Sequence, residues 1–198
     1  MTSYSQVTFE ILRDELKISA RRTAFLPVTL ALQPLPSWLT AYLAVVSTSS
    51  TLAKTEKSLS ESLIAPVLHA VRESNASRIT LFSGEPLYHD DLGGVCDFII
   101  AAQPDSFLPD PPIVILVEAK KLDLLAGIPQ CVAEMRTGQR LNERAGRSGP
   151  IYGCVTIGTD WIFLKLEGDQ ALIDPTIFFS SQLSQVLAVF QWMIDQFG

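Results

Sequence analysis

Ile113-Val114-Ile115-Leu116-Val117-Glu118-Ala119-Lys120 is an uninterrupted aliphatic run that ends in two opposite charges. A continuous apolar segment of this length and β-branched content reads as a strand buried on both faces of a sheet. Side chains two apart on a strand share a face, so Glu118 and Lys120 project together while Ala119 points away. Upstream lies QPDSFLPDPP (103–112), whose four prolines make it a loop. Before that loop, Gly94–Ala101 (GVCDFIIA) is a second apolar strand with Asp97 in its middle, and Arg78–Leu87 (RITLFSGEPL) is a third. Desolvating an isolated carboxylate costs on the order of several kcal/mol, so acids on two apolar strands require an explanation.

Downstream, a helix is predicted from Pro129 to Arg144, with Pro129 suited to the first helical position and Gly146 to the stop. Ile151–Ile157 and Trp161–Leu166 form two strands around a Gly158-Thr159-Asp160 turn, and Gln170–Ile173 adds a short edge strand. Leu183, Val186, Leu187, Phe190, Met193, Ile194 and Phe197 make one apolar stripe on a closing helix. Toward the N-terminus, a helix runs from Thr55 to Glu73, and Pro66 within it demands either a kink or a later start. The first fifty residues carry two short helices, Val7–Leu16 and Pro36–Val46, joined by the extended FLPVTLALQPLP (25–36). The order of elements predicts an α/β fold, a central mixed sheet flanked by helices on both faces. It is organised as a single domain (1–198) in which residues 1–54 form an N-terminal helical appendage and residues 55–198 the core.

The chain has 198 residues, 47% hydrophobic and 18% charged, a composition that buries a substantial core and excludes disorder. Its net charge of −6 argues against coating nucleic acid through bulk positive charge, although it does not exclude a local basic face that works with bound metal ions. No apolar run approaches the roughly 18 residues that span a bilayer, and the N-terminus lacks the basic start and apolar core of a signal peptide. A cytoplasmic protein with no membrane partner is therefore expected. Cys96, Cys131 and Cys154 sit in apolar contexts and read as buried free thiols. His69 and His89 are the only histidines, too few for a structural zinc site.

Three explanations compete for Asp97, Glu118 and Lys120. The acids lie at strand ends in water, or Lys120 forms a structural ion pair with one of them, or the two carboxylates converge on a shared divalent cation that relieves their repulsion. Here the pattern meets a known family. Asp97, a loop, and Glu118-Ala119-Lys120 at the end of an apolar strand resemble the PD-(D/E)xK superfamily of restriction-endonuclease-like enzymes. The likeness spans Ser58 to Leu166, and the order helix, three strands, helix, strand agrees with that superfamily's core. It takes in an acid on the preceding helix, Glu61, and a glutamine on the following one, Gln130. One departure is Cys96, which stands where the name-giving proline would be.

The resemblance implies a restriction-endonuclease-like core in which Asp97, Glu118 and the backbone carbonyl of Ala119 hold Mg2+ or Mn2+. Lys120 would orient the attacking water or stabilise the transition state, with Glu61 and Gln130 completing the site. The implied activity is metal-dependent hydrolysis of phosphodiester bonds, with DNA favoured over RNA. The alternative is a catalytically silent module of the same fold that binds protein or nucleic acid.

Several of these residues have a second reading. Ser58-x-x-Glu61 is also a capping-box pattern, and Glu56 rivals Glu61 for the active-site position. Gln130 near a helix start also suits water. Arg136, Arg140 and Arg144 fall at i, i+4 and i+8 and make a basic stripe suited to nucleic-acid phosphates, or a solvated face paired with Glu134 and Glu143. Lys121 reads as a solvated strand-end lysine, and Trp161 and Phe163 as core. The apolar N-terminal region is the candidate interface of a homodimer.

Overall fold

The computed structural model describes residues 2–46 and 55–197. Its centre is an eight-stranded mixed sheet. The strands are β1 (Thr2–Ser3), β2 (Ser19–Arg22), β3 (Thr80–His89), β4 (Leu92–Ala101), β5 (Ile113–Ala119), β6 (Ile151–Thr156), β7 (Asp160–Glu167) and β8 (Gln170–Phe179). The helices are α1 (Phe9–Asp14), α2 (Ser37–Val46), α3 (Glu56–Leu59), α4 (Ala65–Ser74), α5 (Leu124–Arg144) and α6 (Leu183–Asp195). The order across the sheet is β1-β4-β5-β6-β7-β8-β2, with β3 on the other side of β4.

All seven residues of β5 are buried, as its unbroken aliphatic pattern requires. One face of the sheet packs against α4 and α6 through Val67, Leu68, Val117, Trp161, Phe163 and Phe190. The other packs against α1 and α5 through Leu12, Leu116, Ile128, Val132, Val155 and Ile162. The mixed sheet with helices on both faces is thus the observed architecture. Each buried Val, Leu or Ile contributes on the order of 1.5–3 kcal/mol, so the two layers are the main source of stability. Helix α5 crosses over from β5 to β6, and these two strands pair in parallel, with Glu118 beside Val155 and Ala119 beside Thr156. At the far end of α5, Asn142 clamps the start of β5 by donating to the Ile113 carbonyl (2.7 Å) and accepting from its N–H (2.7 Å).

Several boundaries differ from the sequence expectation, each for an identifiable reason. Helix α5 begins at Leu124, not at Pro129, because Asp123 caps it by accepting from the N–H groups of Leu125 (2.8 Å) and Ala126 (3.4 Å). Pro129 therefore sits inside the helix, where tertiary burial on the sheet overrides its missing donor. Gly146, with φ +72°, does end that helix in the left-handed conformation. The Thr55–Glu73 helix is continuous from Glu56 to Ser74 but contains a π-helical turn, Ser60–Ile64, closed by the Ala65 N–H donating to the Ser60 carbonyl. That turn absorbs the irregularity which Pro66 imposes.

Strand β8 runs to Phe179 and is not an edge, because β2 pairs in parallel along its outer side from Ser19↔Gln170 to Arg22↔Ile173. With β1 pairing beside β4, the N-terminal region is woven into the sheet and is more than a helical appendage. The expected boundary at residues 54 and 55 adjoins positions 47–54, which lie outside the described residues. Among the described residues, no helix is long and apolar enough to cross a membrane. Cys96, Cys131 and Cys154 are buried free thiols, and Trp161 and Phe163 are core.

Candidate active site

The site is built where β4 and β5 part company. These strands pair from Ala101↔Ile113 to Phe98↔Val117, and there the ladder stops. Lower on that edge of β4, β1 takes over at Leu92 and Gly93. One residue past the last pair stand Asp97 on β4 and Glu118 on β5, at the mouth of the split. The Ala119 N–H, which has no strand partner in that direction, donates to Asp97 Oδ2 at 2.8 Å. A side chain thus replaces the missing ladder bond, and Asp97 is drawn to the end of β5. The Asp97 and Glu118 carboxyls act on each other electrostatically.

Glu118 is 1% exposed. Its Oε1 accepts from the Lys120 ammonium, an ion pair that the shared strand face allows. Its Oε2 is buried and has no hydrogen-bond donor. Burial first, and then the Asp97 charge, push the Glu118 carboxyl up to about 7, against the pull of Lys120. Burial also raises Asp97, opposed by the Ala119 N–H and Lys120 and reinforced by Glu56. On Lys120, burial pulls downward, but attraction to Glu118 outweighs it and the ammonium is held above its ordinary value.

Gln130, about two turns into α5 from the cap, joins this group by accepting from Lys120 Nζ at 3.0 Å. Its Nε2 donates to Glu134 Oε1 at 3.3 Å. Glu134 is completely buried, and its second oxygen also lacks a donor. Burial and the neighbouring Glu118 hold Glu134 well above the ordinary carboxyl range. The approach of α5 to these strands depends on Gly127, where a Cβ would lie 2.6 Å from Val155 Cγ1 and 3.0 Å from Lys120 Cγ.

A cleft of about 310 Å3 opens beside the pair, lined by Glu56, Lys57, Ser60, Glu61, Ser83, Gly84, Asp97 and Ala119. Both acids of the preceding helix reach it, but they differ. Glu56 acts electrostatically on Asp97 and Lys120, whereas Glu61 is exposed and pairs with Lys57 at 3.8 Å. The capping reading of Glu61 is overturned. The box is one turn earlier, with Thr55 Oγ1 accepting from the Ser58 N–H (3.0 Å) and Ser58 Oγ from the Thr55 N–H (3.2 Å).

The arginine stripe does not line this site. Arg136 is buried and bonded to Asp169 Oδ1 at 2.5 Å and Gln139 Oε1 at 2.8 Å. Asp169 belongs to the β7–β8 turn, at the end of the sheet away from Glu118. Arg140 and Arg144 lie further along α5, roughly 15 and 21 Å of helix beyond Gln130, toward the start of β5. The arginines therefore lead away from the acids, and Arg136 is a structural residue. The Glu134 pairing suggested for that stripe is replaced by the contact with Gln130.

No protein-family model and no curated protein matches this sequence. What the site can do chemically must be read from its own donors. Among the described residues, no three His, Cys, Asp or Glu side chains are arranged around a metal position. A magnesium-type ion, however, needs only one or two carboxylates, with water and substrate oxygens supplying the rest. Two adjacent carboxyl groups, a backbone carbonyl and a buried carboxylate oxygen without a donor form a hard-oxygen set that fits such an ion. Sequence reasoning missed Glu134 as a member of this group. Its spacing of four from Gln130 places both on one helix face, but does not say whether that face is buried.

Proposed function

We propose that this chain is a divalent-metal-dependent phosphodiesterase with a restriction-endonuclease-like core, acting on DNA. The observation that carries it is the split between β4 and β5, which brings Asp97 to the Ala119 N–H beside a buried Glu118–Lys120 pair with one oxygen left open. The Lys120 ion pair engages only one of the two Glu118 oxygens and leaves the other at the buried end of the site. It also does not account for a second acid held beside the first.

Asp97 and Glu118, with the Ala119 carbonyl, would hold Mg2+ or Mn2+, which when bound supplies Lewis-acid polarisation of a phosphoryl oxygen and a more acidic water. Lys120, tethered to Glu118 and Gln130, has a further N–H for the negative charge that develops on the phosphoryl oxygens. The burial of Glu118 excludes bulk water and strengthens each of these interactions. Glu56, at the cleft, is placed to add negative charge near the cation.

The test is cleavage of single-stranded, duplex and supercoiled DNA in Mg2+ or Mn2+, with Lys120→Ala as control. Cleavage by the wild type that disappears in the variant supports the proposal. A folded wild-type protein that cleaves none of these with either metal overturns it in favour of a silent module.

A further inference from the structure

Lys120, Gln130 and Glu134 form a chain of contacts whose direction is set by donor chemistry. The lysine ammonium can only donate, so the Gln130 amide must turn its oxygen toward it, and does so at 3.0 Å. The amide nitrogen then faces the other way and needs an acceptor. Glu134 Oε1 is that acceptor at 3.3 Å, from a side chain with no exposure to solvent. Remove that acceptor and the amide loses its reason to keep this orientation. Flipped, it would present its own N–H groups to a cation.

A buried acid on an apolar helix face is costly, and Glu134 returns two polar contacts that a leucine could not, one toward Glu118 and one that passes through Gln130 to Lys120. Two of the three ammonium N–H groups of Lys120 are engaged, by Glu118 and by Gln130. Two anchors hold the charged tip of a long, flexible side chain; one anchor lets it swing. We propose that Glu134 is a positioning residue which, through the orientation of the Gln130 amide, holds the Lys120 ammonium at the reacting end of the site. Its effect on catalysis rests on the phosphodiesterase reading above, whereas the anchoring of Lys120 stands independently of it.

The experiment compares Glu134→Gln, Glu134→Leu, Gln130→Ala and the double variant Gln130→Ala/Glu134→Leu with the wild type. Two readouts are taken: exchange-protected lysine ammonium signals by nitrogen NMR without metal, and kcat and KM for DNA cleavage in Mn2+. Glutamine at 134 still offers an oxygen to the Gln130 amide and should keep the Lys120 signal and kcat. Leucine there should lose the signal and lower kcat about tenfold to hundredfold with KM little changed, the range seen when the partner of a functional side chain is removed. Gln130→Ala cuts the same chain at a partly exposed position, so it tests the idea even if the leucine variant folds poorly. The double variant should be no worse than Gln130→Ala alone.

A Lys120 signal that persists in both Glu134→Leu and Gln130→Ala overturns the proposal. So does a glutamine variant as impaired as leucine, or losses that multiply in the double variant. Should the NMR pattern appear while the wild type cleaves no DNA, Glu134 still anchors Lys120 and only the phosphodiesterase reading falls.

Discussion

Asp174 and Glu118 are both carboxylates on central strands, and each is 1% exposed, yet their surroundings are opposite in kind. Asp174 on β8 accepts three backbone N–H groups, from Phe25 (3.0 Å), Leu26 (3.1 Å) and Thr176 (2.9 Å). Those bonds outweigh its burial and hold the carboxyl below its ordinary value. Glu118 has one lysine, one open oxygen and two acidic neighbours, and is held above its ordinary value. Burial alone therefore does not identify a functional acid. What separates the two is whether the lone pairs are filled by the chain itself. Asp174 is complete and ties the segment after β2 to the sheet, whereas Glu118 is left incomplete beside a cleft.

The largest effect expected from this contrast is on cleavage. Lys120→Ala should lower kcat by about 10^2- to 10^3-fold, the scale of removing one electrostatic contact to a transition state, and should also lower thermal stability, because the buried Glu118 loses its counter-ion. Glu118→Gln should abolish Mn2+ binding in a calorimetric titration and leave stability at pH 8 equal or higher, because an underpaired buried charge is gone. If Glu118→Gln unfolds as easily as a variant at Asp174, the contrast between the two acids is broken.

Next in size is Asp174→Ala, which strands three backbone donors. It should cost about 1–3 kcal/mol in urea denaturation and speed amide exchange at Phe25 and Leu26, with cleavage per folded molecule unchanged.

A smaller effect separates the two acids by pH. A raised carboxyl stabilises the fold below its unfolded value and loses that contribution as pH rises through its folded value. For Glu118 this window runs from the ordinary 4.5 to about 7, and Asp97 and Glu134 act in the same direction. The contribution of Asp174 has the opposite sign, present above the ordinary 3.8 and lost as acid titrates its lowered folded value. Melts without divalent metal should show stability falling as pH rises through that upper window, and again in strong acid. Glu118→Gln should flatten the upper slope and Asp174→Asn the lower one.

The smallest effect belongs to Arg140→Ala/Arg144→Ala. Affinity for DNA and its salt dependence should stay within about twofold of wild type, since these side chains lie at the far end of α5. A steep loss of salt dependence would return the arginine stripe to the substrate path.

Much of this was legible in the chain. The aliphatic run of β5, the proline-rich loop before it and the apolar stripe of α6 are local patterns, and local patterns encode element type. That Glu118 and Lys120 share a face followed from the two-residue period of a strand, and Gln130 was legible from its place early in the next helix. Glu134 was not, because nothing in GIPQCVAEM distinguishes an acid facing water from one sealed against β5. Helix α5 supplied both the success and the failure: Gln130 and Arg136 look equally polar in sequence, but one turns to the site and the other to the β7–β8 hairpin.

By itself, then, the sequence determined that the segments of β3 to β8 are strands, which face Glu118 and Lys120 share, and the mixed α/β order. Periodicity and proline placement act over a few residues and leave their mark in the sequence. Only the tertiary structure decided that β4 and β5 separate one residue before Asp97 and Glu118, that β1 and β2 complete the sheet, and that Glu134 stands behind Gln130. Those outcomes are set by pairing and packing between segments far apart in the chain, where the free energy depends on partners that no local pattern names.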